Sequence, residues 1–398
     1  MARVLCAWEY GGELGHVQRL TALAVALREA GHEPALAFSN LQHAGSTSRG
    51  FRCYQAPLTT LAEKPDPTPV SLAHVLVEVG FHDRDGLAAP LRAWLAIFAL
   101  EKPDVIVADY APMALLAARV AGLPAVTIGS GFSSPPLTRP LHGLRSWEPV
   151  SDARLLAYDD SATEAANRAL AELGAAPIES AAQLFVARDD ILCTYAELDP
   201  FGPRENAEYL GPLDDAMPGA ELAWSGEERP RIFAYLKPRY PGFVSIVASI
   251  GAAGASAIIA APGLNDAEVQ SMSSPHVQVI GRPVTLPPLL AACDLCIGHA
   301  GLGLTSKAMS AGAPMGLLPT HLEQLLIAQR VEALGAGAYL RPPPQGAPHA
   351  DLTPWLRGLL ADEQKRSAAR HLRERFTGYS PKASAARAAQ RVIAALSR

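Results

Sequence analysis

Short apolar runs alternate along the chain with longer segments whose apolar residues follow helical spacing. Most of the short runs lack in/out alternation, which indicates strands covered by helices on both faces. The runs in the first half are Val4–Trp8, Ala35–Phe38, Phe51–Gln55, Val105–Ala108, Ala125–Ile128 and Ile191–Thr194. The runs in the second half are Ile232–Leu236, Ser256–Ala260, Val277–Ile280, Leu295–Ile297, Met315–Leu318 and Ala338–Leu340. The pattern predicts two groups of parallel strands.

Helical segments connect these strands, and several of them stop at a glycine, which is a common helix end. Those segments are Leu20–Ala30 before Gly31, Pro112–Ala121 before Gly122, and Leu304–Ala311 before Gly312. Alternating strands and helices predict an α/β protein with two Rossmann-like, doubly wound parallel-sheet domains that face each other across a cleft. We expect an N-terminal domain over residues 1–212, a linker over 213–230, a second domain over 231–375, and a C-terminal helix, 376–398, that packs back on the first domain. No internal repeat of fixed period is visible.

The composition excludes several classes of partner. The 398 residues include 34 Lys plus Arg against 39 Asp plus Glu, a net charge of −5, whereas nucleic-acid and anionic-membrane binders need a basic surface. Five scattered cysteines do not form a disulfide framework, so we expect a reducing, cytoplasmic setting. The uncharged stretch Tyr240–Asn265 contains glycines and prolines, and we interpret it as a helix and a buried strand rather than a membrane span.

A glycine-rich loop follows the first predicted strand and opens the next helix. Its glycines, Gly11, Gly12 and Gly15, serve the turn alone or let a ligand approach the backbone. His16 stands at the start of that helix, where a histidine can act as a base near neutral pH. Asp109 ends the fourth predicted strand on the same sheet edge. We expect it either to orient His16 or to cap the helix that follows it.

A second glycine-rich loop is the strongest signal in the chain. It follows a buried strand, opens a helix, and contains His299, Gly301, Gly303, Thr305 and Ser306. Helix amides, hydroxyls and a histidine together form a set of groups that can bind a diphosphate. The alternative is that this loop is only a capped helix start with a polar turn. After the next strand come a carboxylate and an amide, Glu323 and Gln324, which suit sugar hydroxyls.

These two loops carry a resemblance to a known family. The second loop resembles the donor-binding signature of the GT-B nucleotide-sugar glycosyltransferases, among them the UDP-glycosyltransferases and antibiotic-type enzymes. The positions in register are His299, Gly301, Gly303, Ala308, Gly312-Ala313-Pro314 and Glu323-Gln324. The first loop resembles the Gly-Gly-x-x-Gly-His loop of the related lipid-II N-acetylglucosaminyltransferases. The resemblance touches both halves of the chain, but residues 138–226 carry no matching motif.

The resemblance implies an inverting hexosyltransferase whose co-substrate is a nucleotide sugar, with no metal and no other cofactor. It implies that His16 deprotonates the acceptor and that Asp109 orients this histidine. It places the donor diphosphate at His299 and the loop after it, and the donor sugar at Glu323 and Gln324.

Three departures from the family concern the donor. We expect Pro283, Val284 and Lys307 to contact the nucleotide, but Pro283 and Leu286 stand where the family has a base-stacking Trp and a neighbouring Gln. Lys307 replaces a glutamate that accepts bonds from the ribose hydroxyls. A thymidine-type donor, which has no 2′-hydroxyl, is one hypothesis, and a UDP donor recognised by other groups is equally compatible. The segment Lys237–Tyr240 replaces a small Gly/Ser turn, and its two cations either approach a phosphate or are solvated.

Weaker signals concern the acceptor, which we expect to be a hydroxyl-bearing small molecule or lipid-like compound. They are His82, within a segment, Glu63–Pro90, that we interpret as a long functional loop, and Gly131, Phe132 and Trp147. Two other functions stay open: a nucleotide-sugar 2-epimerase, and a non-catalytic sugar-nucleotide-binding auxiliary protein. The sequence does not indicate an oligomeric state.

Overall fold

The computed structural model describes residues 1–12, 14–45, 48–63, 66, 68–83, 85–213, 219–224, 230–343, 347, 349–376 and 378–397. The chain divides into two compact units. Unit 1 comprises Met1–Asp214 together with Ser380–Arg398, and unit 2 comprises Asp215–Tyr379. Within the predicted linker, residues 214–218 and 225–229 lie outside the described residues.

Unit 1 is built on a six-stranded parallel sheet in the spatial order β3-β2-β1-β4-β5-β6. The strands are β1 (Arg3–Trp8), β2 (Glu33–Phe38), β3 (Arg52–Gln55), β4 (Val105–Asp109), β5 (Ala125–Gly129) and β6 (Asp189–Leu192). The helices are α1 (Leu14–Glu29), α2 (Leu72–Leu76), α3 (Ala88–Glu101), α4 (Pro112–Ala121) and α5 (Asp152–Glu172), with 3-10 turns at Leu41–His43, Ala181–Phe185 and Ala196–Leu198. The central strands β4 and β5 are buried along their whole length, as expected for strands covered on both faces.

Unit 2 has a second six-stranded parallel sheet, in the order β12-β11-β10-β7-β8-β9. The strands are β7 (Arg231–Tyr235), β8 (Ser256–Ala260), β9 (Val277–Ile280), β10 (Leu295–Gly298), β11 (Met315–Leu317) and β12 (Gly337–Tyr339). The helices are α6 (Phe243–Ala252), α7 (Asp266–Met272), α8 (Leu286–Ala292), α9 (Leu302–Ala311), α10 (Leu322–Ala333), α11 (Thr353–Ala361) and α12 (Glu363–Arg375). Each strand predicted from the apolar runs is confirmed.

The last helix, α13 (Pro381–Ala394), lies in unit 1 and is followed by a 3-10 turn at Ala395–Ser397. It packs against α1, and its residues Ala388 and Val392 are buried in the core that α1 and β1 share. Arg391 forms an ion pair with Asp189 of β6 at 2.6 Å. The end of the chain therefore completes the core of unit 1 although it follows unit 2 in sequence.

Both sheets place their fourth strand beside their first, which is the strand order of a Rossmann fold. In such sheets a ligand binds beyond the carboxyl ends of these two strands, where the direction of winding reverses. That position lies between β1 and β4 in unit 1 and between β7 and β10 in unit 2. The residues that follow these four strands are therefore the first candidates for chemistry.

The equivalence of the two sheets extends to single residues. Asp104 and Asp294, just before β4 and β10, accept hydrogen bonds from the amides of Arg3 and Arg231 at 2.7 and 2.8 Å. Identical residues also stand at Ala118 and Ala308, Ala121 and Ala311, Gly122 and Gly312, and Pro124 and Pro314. The remaining positions of the two segments differ, so the repeat is present in the backbone although it was not visible as a periodic sequence.

The prediction of a long loop over Glu63–Pro90 was wrong. This segment contains α2 and a turn of π-helix at Val77–Phe81, and α3 begins before its end. Ser71 caps α2 by accepting a hydrogen bond from the amide of His74 at 3.1 Å, and His74 is buried. Short helical turns like these have too few residues to show helical spacing, so the polar residues around them dominated the pattern.

The uncharged stretch Tyr240–Asn265 forms α6 and β8, as predicted. In the part of the chain that the structure describes, no helix combines the length and the apolar character needed to cross a membrane.

Candidate active site

His16, Asp109 and Arg19 form a hydrogen-bonded group at the carboxyl edge of the first sheet. Asp109 is the last residue of β4 and is fully buried, whereas His16 lies in the first turn of α1. The Nδ1 atom of His16 is 3.0 Å from Asp109 Oδ1, and Arg19 Nη1 donates to Oδ2 at 2.6 Å. Burial acts to raise the pKa of Asp109, but the adjacent Arg19 and His16 bring it below its ordinary value. The carboxylate is therefore ionised and held through both oxygens.

The imidazole of His16 is held in one orientation. Trp8, the last residue of β1, stacks on it with ring centroids 5.2 Å apart and an interplanar angle of 11°. A hydrogen bond from Nδ1 to the carboxylate selects the tautomer of the neutral ring in which Nε2 has the lone pair. Gly11 has a φ of +94°, and a Cβ there would lie 2.6 Å from Nε2. Glycine at this position therefore leaves space at the basic nitrogen.

The start of α4 is capped by Glu9, so the alternative prediction that Asp109 caps this helix is wrong. The two carboxyl oxygens of Glu9 accept hydrogen bonds from the amides of Met113 and Ala114, at 2.9 and 2.7 Å. Burial raises the pKa of Glu9 to about 8, although these amide hydrogen bonds act to lower it. Because Glu9 caps the helix, both oxygens of Asp109 bond instead to His16 and Arg19.

Arg19 and Trp8 were not predicted as site residues from the sequence. Arg19 follows His16 by one helical turn, and residues at this spacing share a helix face. That spacing was the signal by which Arg19 could have been found. Trp8 carried no such signal, because a tryptophan at the end of an apolar strand is ordinarily a core residue.

In unit 2, the loop after β10 is organised around His299, which is buried. The Nδ1 atom of His299 donates to the carbonyl of Leu318 at 2.8 Å, and Nε2 accepts from the amide of Lys237 at 3.0 Å. The ring therefore joins the segments that follow β7, β10 and β11. The next residue, Ala300, has a left-handed φ of 59°, and it turns the chain into α9.

The start of α9 presents backbone amides and two buried hydroxyls. The amide of Thr305 is the first in this helix to donate to a preceding carbonyl, that of Gly301, at 3.0 Å. The amides before Thr305 therefore point out of the N-terminal end of the helix. A Cβ at Gly301 or Gly303 would meet no neighbouring atom within 4 Å, which shows open space there. Within the described residues, the buried hydroxyls of Thr305 and Ser306 have no hydrogen-bond partner.

Glu323 and Gln324 lie together in the first turn of α10. The Oε1 atom of Gln324 accepts hydrogen bonds from the amide and the hydroxyl of Thr320, at 2.8 and 2.7 Å, and the Gln324 side chain is buried. Its oxygen is therefore engaged within the loop, so a ligand would meet its NH₂ group. Glu323 is half-buried in the same turn.

The predicted nucleotide-binding residues lie on two elements of unit 2. Just before α8, Pro283 and Val284 run beside Ala220, whose amide donates to the Pro283 carbonyl at 2.9 Å. Val284 is 3% exposed as a result, whereas Pro283 is half-buried. Of the two residues, Pro283 therefore has the exposed surface on which a nucleotide base could pack. Lys307 lies half-buried on α9.

Among the predicted acceptor residues, Phe132 is connected to Asp109 through an aromatic neighbour. It is buried and packs edge-to-face on Tyr110, the residue after Asp109, with ring centroids 6.1 Å apart. Tyr110 in turn packs edge-to-face on Tyr10, with centroids 5.8 Å apart. The aromatic group of Tyr10, Tyr110 and Phe132 therefore lies beside the residues that hold His16.

The other three acceptor candidates do not join this group. Arg204, which was not predicted from the sequence, donates to the Gly131 carbonyl at 3.0 Å and fixes that turn. His82 is exposed at the end of the π-helical turn, and Trp147 is half-buried. In the described residues, no three His, Cys, Asp or Glu side chains are grouped as metal ligands would be.

Comparisons with known proteins find relatives among glycosyltransferases. Residues 245–391 match the family described as erythromycin biosynthesis protein CIII-like, C-terminal domain. The NDP-glycosyltransferase YjiC of Bacillus subtilis (strain 168) is 46% identical over 52 residues, 13% of this chain and 13% of that protein. The TDP-daunosamine transferase DnrS of Streptomyces peucetius is 25% identical over 185 residues, 45% of this chain and 42% of that protein. The matched regions thus span less than half of either relative.

A solved structure covers the whole chain. The glycosyltransferase VinC in complex with dTDP matches with a TM-score of 0.68 and 19% identity, and the match covers 100% of both chains. At this identity the likeness establishes the fold. The chain has the GT-B fold, which confirms the fold that the resemblance predicted. The resemblance of the first loop to the lipid-II group stays a prediction.

Proposed function

We propose that this chain is an inverting glycosyltransferase, which transfers a sugar from a nucleoside diphosphate to a hydroxyl of a small-molecule or lipid-like acceptor. The observation that carries the proposal is the bond between His16 and the buried Asp109, which leaves Nε2 as a base beside Gly11. The named relatives, which are glycosyltransferases, support the same reaction class. We further propose that the protein acts in the cytoplasm without a resident metal or cofactor.

In the proposed reaction, His16 is the general base. Nε2 takes the proton of the acceptor hydroxyl, and the acceptor oxygen forms a bond to the anomeric carbon of the sugar. The bond from that carbon to the diphosphate breaks, and its electron pair leaves on the diphosphate. Attack opposite the leaving group inverts the anomeric configuration. Asp109 stabilises the imidazolium that forms, and Arg19 keeps Asp109 ionised.

We assign the departing diphosphate to the start of α9. The amides of a first helical turn and the helix dipole favour an anion, and the buried hydroxyl of Thr305 is a further donor. His299 acts there as a positioning residue, because both of its ring nitrogens are bonded to the backbone. Glu323 would accept hydrogen bonds from sugar hydroxyls, and Gln324 would donate to them.

Thymidine diphosphate is the donor nucleotide that we favour. Lys307 cannot accept a hydrogen bond from a ribose 2′-hydroxyl, and thymidine nucleotides have none. The names of two relatives support this choice, since DnrS is called a TDP-daunosamine transferase and VinC was solved with dTDP. We place the base beside Pro283, which retains exposed surface.

The test is incubation with labelled dTDP- and UDP-sugars, with and without a panel of hydroxylated acceptors. We expect acceptor-dependent release of nucleoside diphosphate and a glycoside of inverted configuration, faster with dTDP donors. Proton exchange at C2 without transfer would indicate the 2-epimerase, and binding without turnover the auxiliary protein. The variant His16→Ala should lose roughly 10²- to 10⁴-fold in rate. The control His371→Ala changes an exposed histidine of α12 and should behave as wild type.

A further inference from the structure

Glu9 and Lys237 occupy equivalent positions in the two units. The strands β1 and β4 pair in the same register as β7 and β10, with Val4 opposite Val105 and Ile232 opposite Leu295. Counted from these residues, Glu9 and Lys237 lie the same distance along the chain. The helices α4 and α9 also begin at equivalent positions and have the same length.

The two residues have opposite chemistry at the same place. In unit 1, Glu9 accepts hydrogen bonds from the amides of the second and third residues of α4. The equivalent amides of α9 belong to Gly303 and Leu304. Lys237 has no acceptor atom in its side chain, so it cannot cap these amides as Glu9 caps those of α4. Unit 1 thus fills its helix start with its own carboxyl oxygens, whereas unit 2 has a lysine at the equivalent position of the chain.

We infer that Lys237 makes the start of α9 a diphosphate site: it leaves the amides of Gly303 and Leu304 to phosphate oxygens and binds the same diphosphate through its ammonium. This inference rests on the proposed function and names Lys237 as the residue that distinguishes a diphosphate from an uncharged nucleoside. The Lys237 side chain is exposed, whereas that of Glu9 is buried, and it is one atom longer, so it has the reach to contact a ligand bound at the helix start.

A second observation at this helix start also points to a ligand. The hydroxyl of Thr305, in the residue after Leu304, is 1% exposed and has no partner within the described residues. Helical side chains lean toward the N-terminus of their helix, so this hydroxyl leans toward the two amides. A buried hydroxyl without a partner is costly in the free protein, and a phosphate oxygen would supply the missing partner.

The ammonium also has a role in the reaction. When the anomeric bond breaks, the diphosphate gains negative charge, and a fixed cation stabilises that charge more than it stabilises the bound donor. Lys237 is placed for this role by its own backbone, because its amide donates to His299 Nε2 at 3.0 Å. Substitution of the side chain leaves that backbone hydrogen bond in place.

The inference is tested by titration calorimetry of thymidine diphosphate and of thymidine against the full chain at low salt. Lys237→Met should weaken diphosphate binding roughly 10- to 100-fold and leave thymidine binding unchanged, since a charge-assisted hydrogen bond is lost. Lys237→Arg should stay within about threefold of wild type because it keeps the charge. The matched control is Arg239→Met, an exposed cation of the same loop, which should stay within about twofold.

The variant Lys237→Glu gives an independent readout. It rebuilds in unit 2 the cap that Glu9 forms in unit 1, so it should abolish diphosphate binding while the thermal midpoint stays equal to or above that of wild type. If wild type binds neither thymidine diphosphate nor another nucleoside diphosphate, the proposed function fails. If wild type binds and Lys237→Met binds equally tightly, the proposed function stands and the inference about Lys237 is overturned.

Discussion

Replacing Asp109 by asparagine removes the charge between His16 and Arg19 and keeps the shape of the side chain. Both neighbours donate to Asp109, at 3.0 and 2.6 Å, but a carboxamide has only one oxygen. One of the two hydrogen bonds must therefore be lost. A hydrogen bond to a charged group contributes about 1.5–3 kcal/mol, so loss of the partner of the imidazolium should lower kcat/KM roughly 10- to 150-fold.

The same substitution should destabilise the fold, for a separate reason. Arg19 is 8% exposed, and without Asp109 its guanidinium is a buried charge with one partner fewer, which costs about 3–5 kcal/mol. Adding Arg19→Met removes that charge, so the double variant should regain much of the stability and none of the rate.

The pH dependence of unfolding follows from the lowered pKa of Asp109. A group whose pKa is lower in the folded state stabilises the fold above its unfolded pKa, here near the ordinary 3.8, and loses that contribution as the pH falls through the folded pKa. The stability difference between wild type and Asp109→Asn should therefore be largest near neutral pH and shrink in acid.

The assay is release of nucleoside diphosphate, in parallel with urea unfolding of the same preparations. The reasoning is refuted if Asp109→Asn keeps wild-type kcat/KM. It is also refuted if the double variant recovers rate together with stability, because Asp109 would then act only on the fold.

Three further substitutions test other parts of the structure. Gly11→Ala should displace His16, because the new Cβ would lie 2.6 Å from Nε2, and should lower the rate on the order of 10²-fold. The control Gly12→Ala has open space around its Cβ and should change the rate little. Equal rates for the two variants would contradict this. The Thr305 hydroxyl has no internal hydrogen-bond partner in the described structure. Thr305→Val should therefore leave the unfolding free energy unchanged or raise it by about 1 kcal/mol. The same variant should weaken diphosphate binding roughly tenfold, as measured by calorimetry. Glu9 has a pKa raised from 4.5 to about 8, so it stabilises the fold more when protonated than when ionised. Wild type should therefore lose stability relative to Glu9→Gln as the pH rises from 4.5 to 8, and parallel curves of unfolding free energy against pH would contradict this.

Much of the fold could be predicted from local pattern. Strands covered on both faces give continuous apolar runs, and glycine favours the left-handed residue at a helix end, as at Gly122 after α4. Topology then brought His16 and Asp109 together, because the carboxyl ends of parallel strands share one sheet edge. These inferences need only short stretches of sequence and the rule for winding parallel sheets.

The rest depended on contacts that no local pattern contains. Glu9 caps a helix that lies far along the chain, so the sequence pointed to the nearer Asp109 instead. His299 matched a family motif, but its hydrogen bonds to Leu318 and Lys237 come from three segments that meet only in the folded unit. The equivalence of Glu9 and Lys237 was hidden because the two sheets repeat their backbone and not their side chains.

The start of α9 is where the proposed donor site is tested most directly. A crystal structure of the chain with thymidine diphosphate should show phosphate oxygens bonded to the amides of Gly303 and Leu304, with the Lys237 ammonium beside them. A nucleotide bound at another place, with those two amides bonded to side chains of the protein itself, would contradict the assignment of this helix as the donor site.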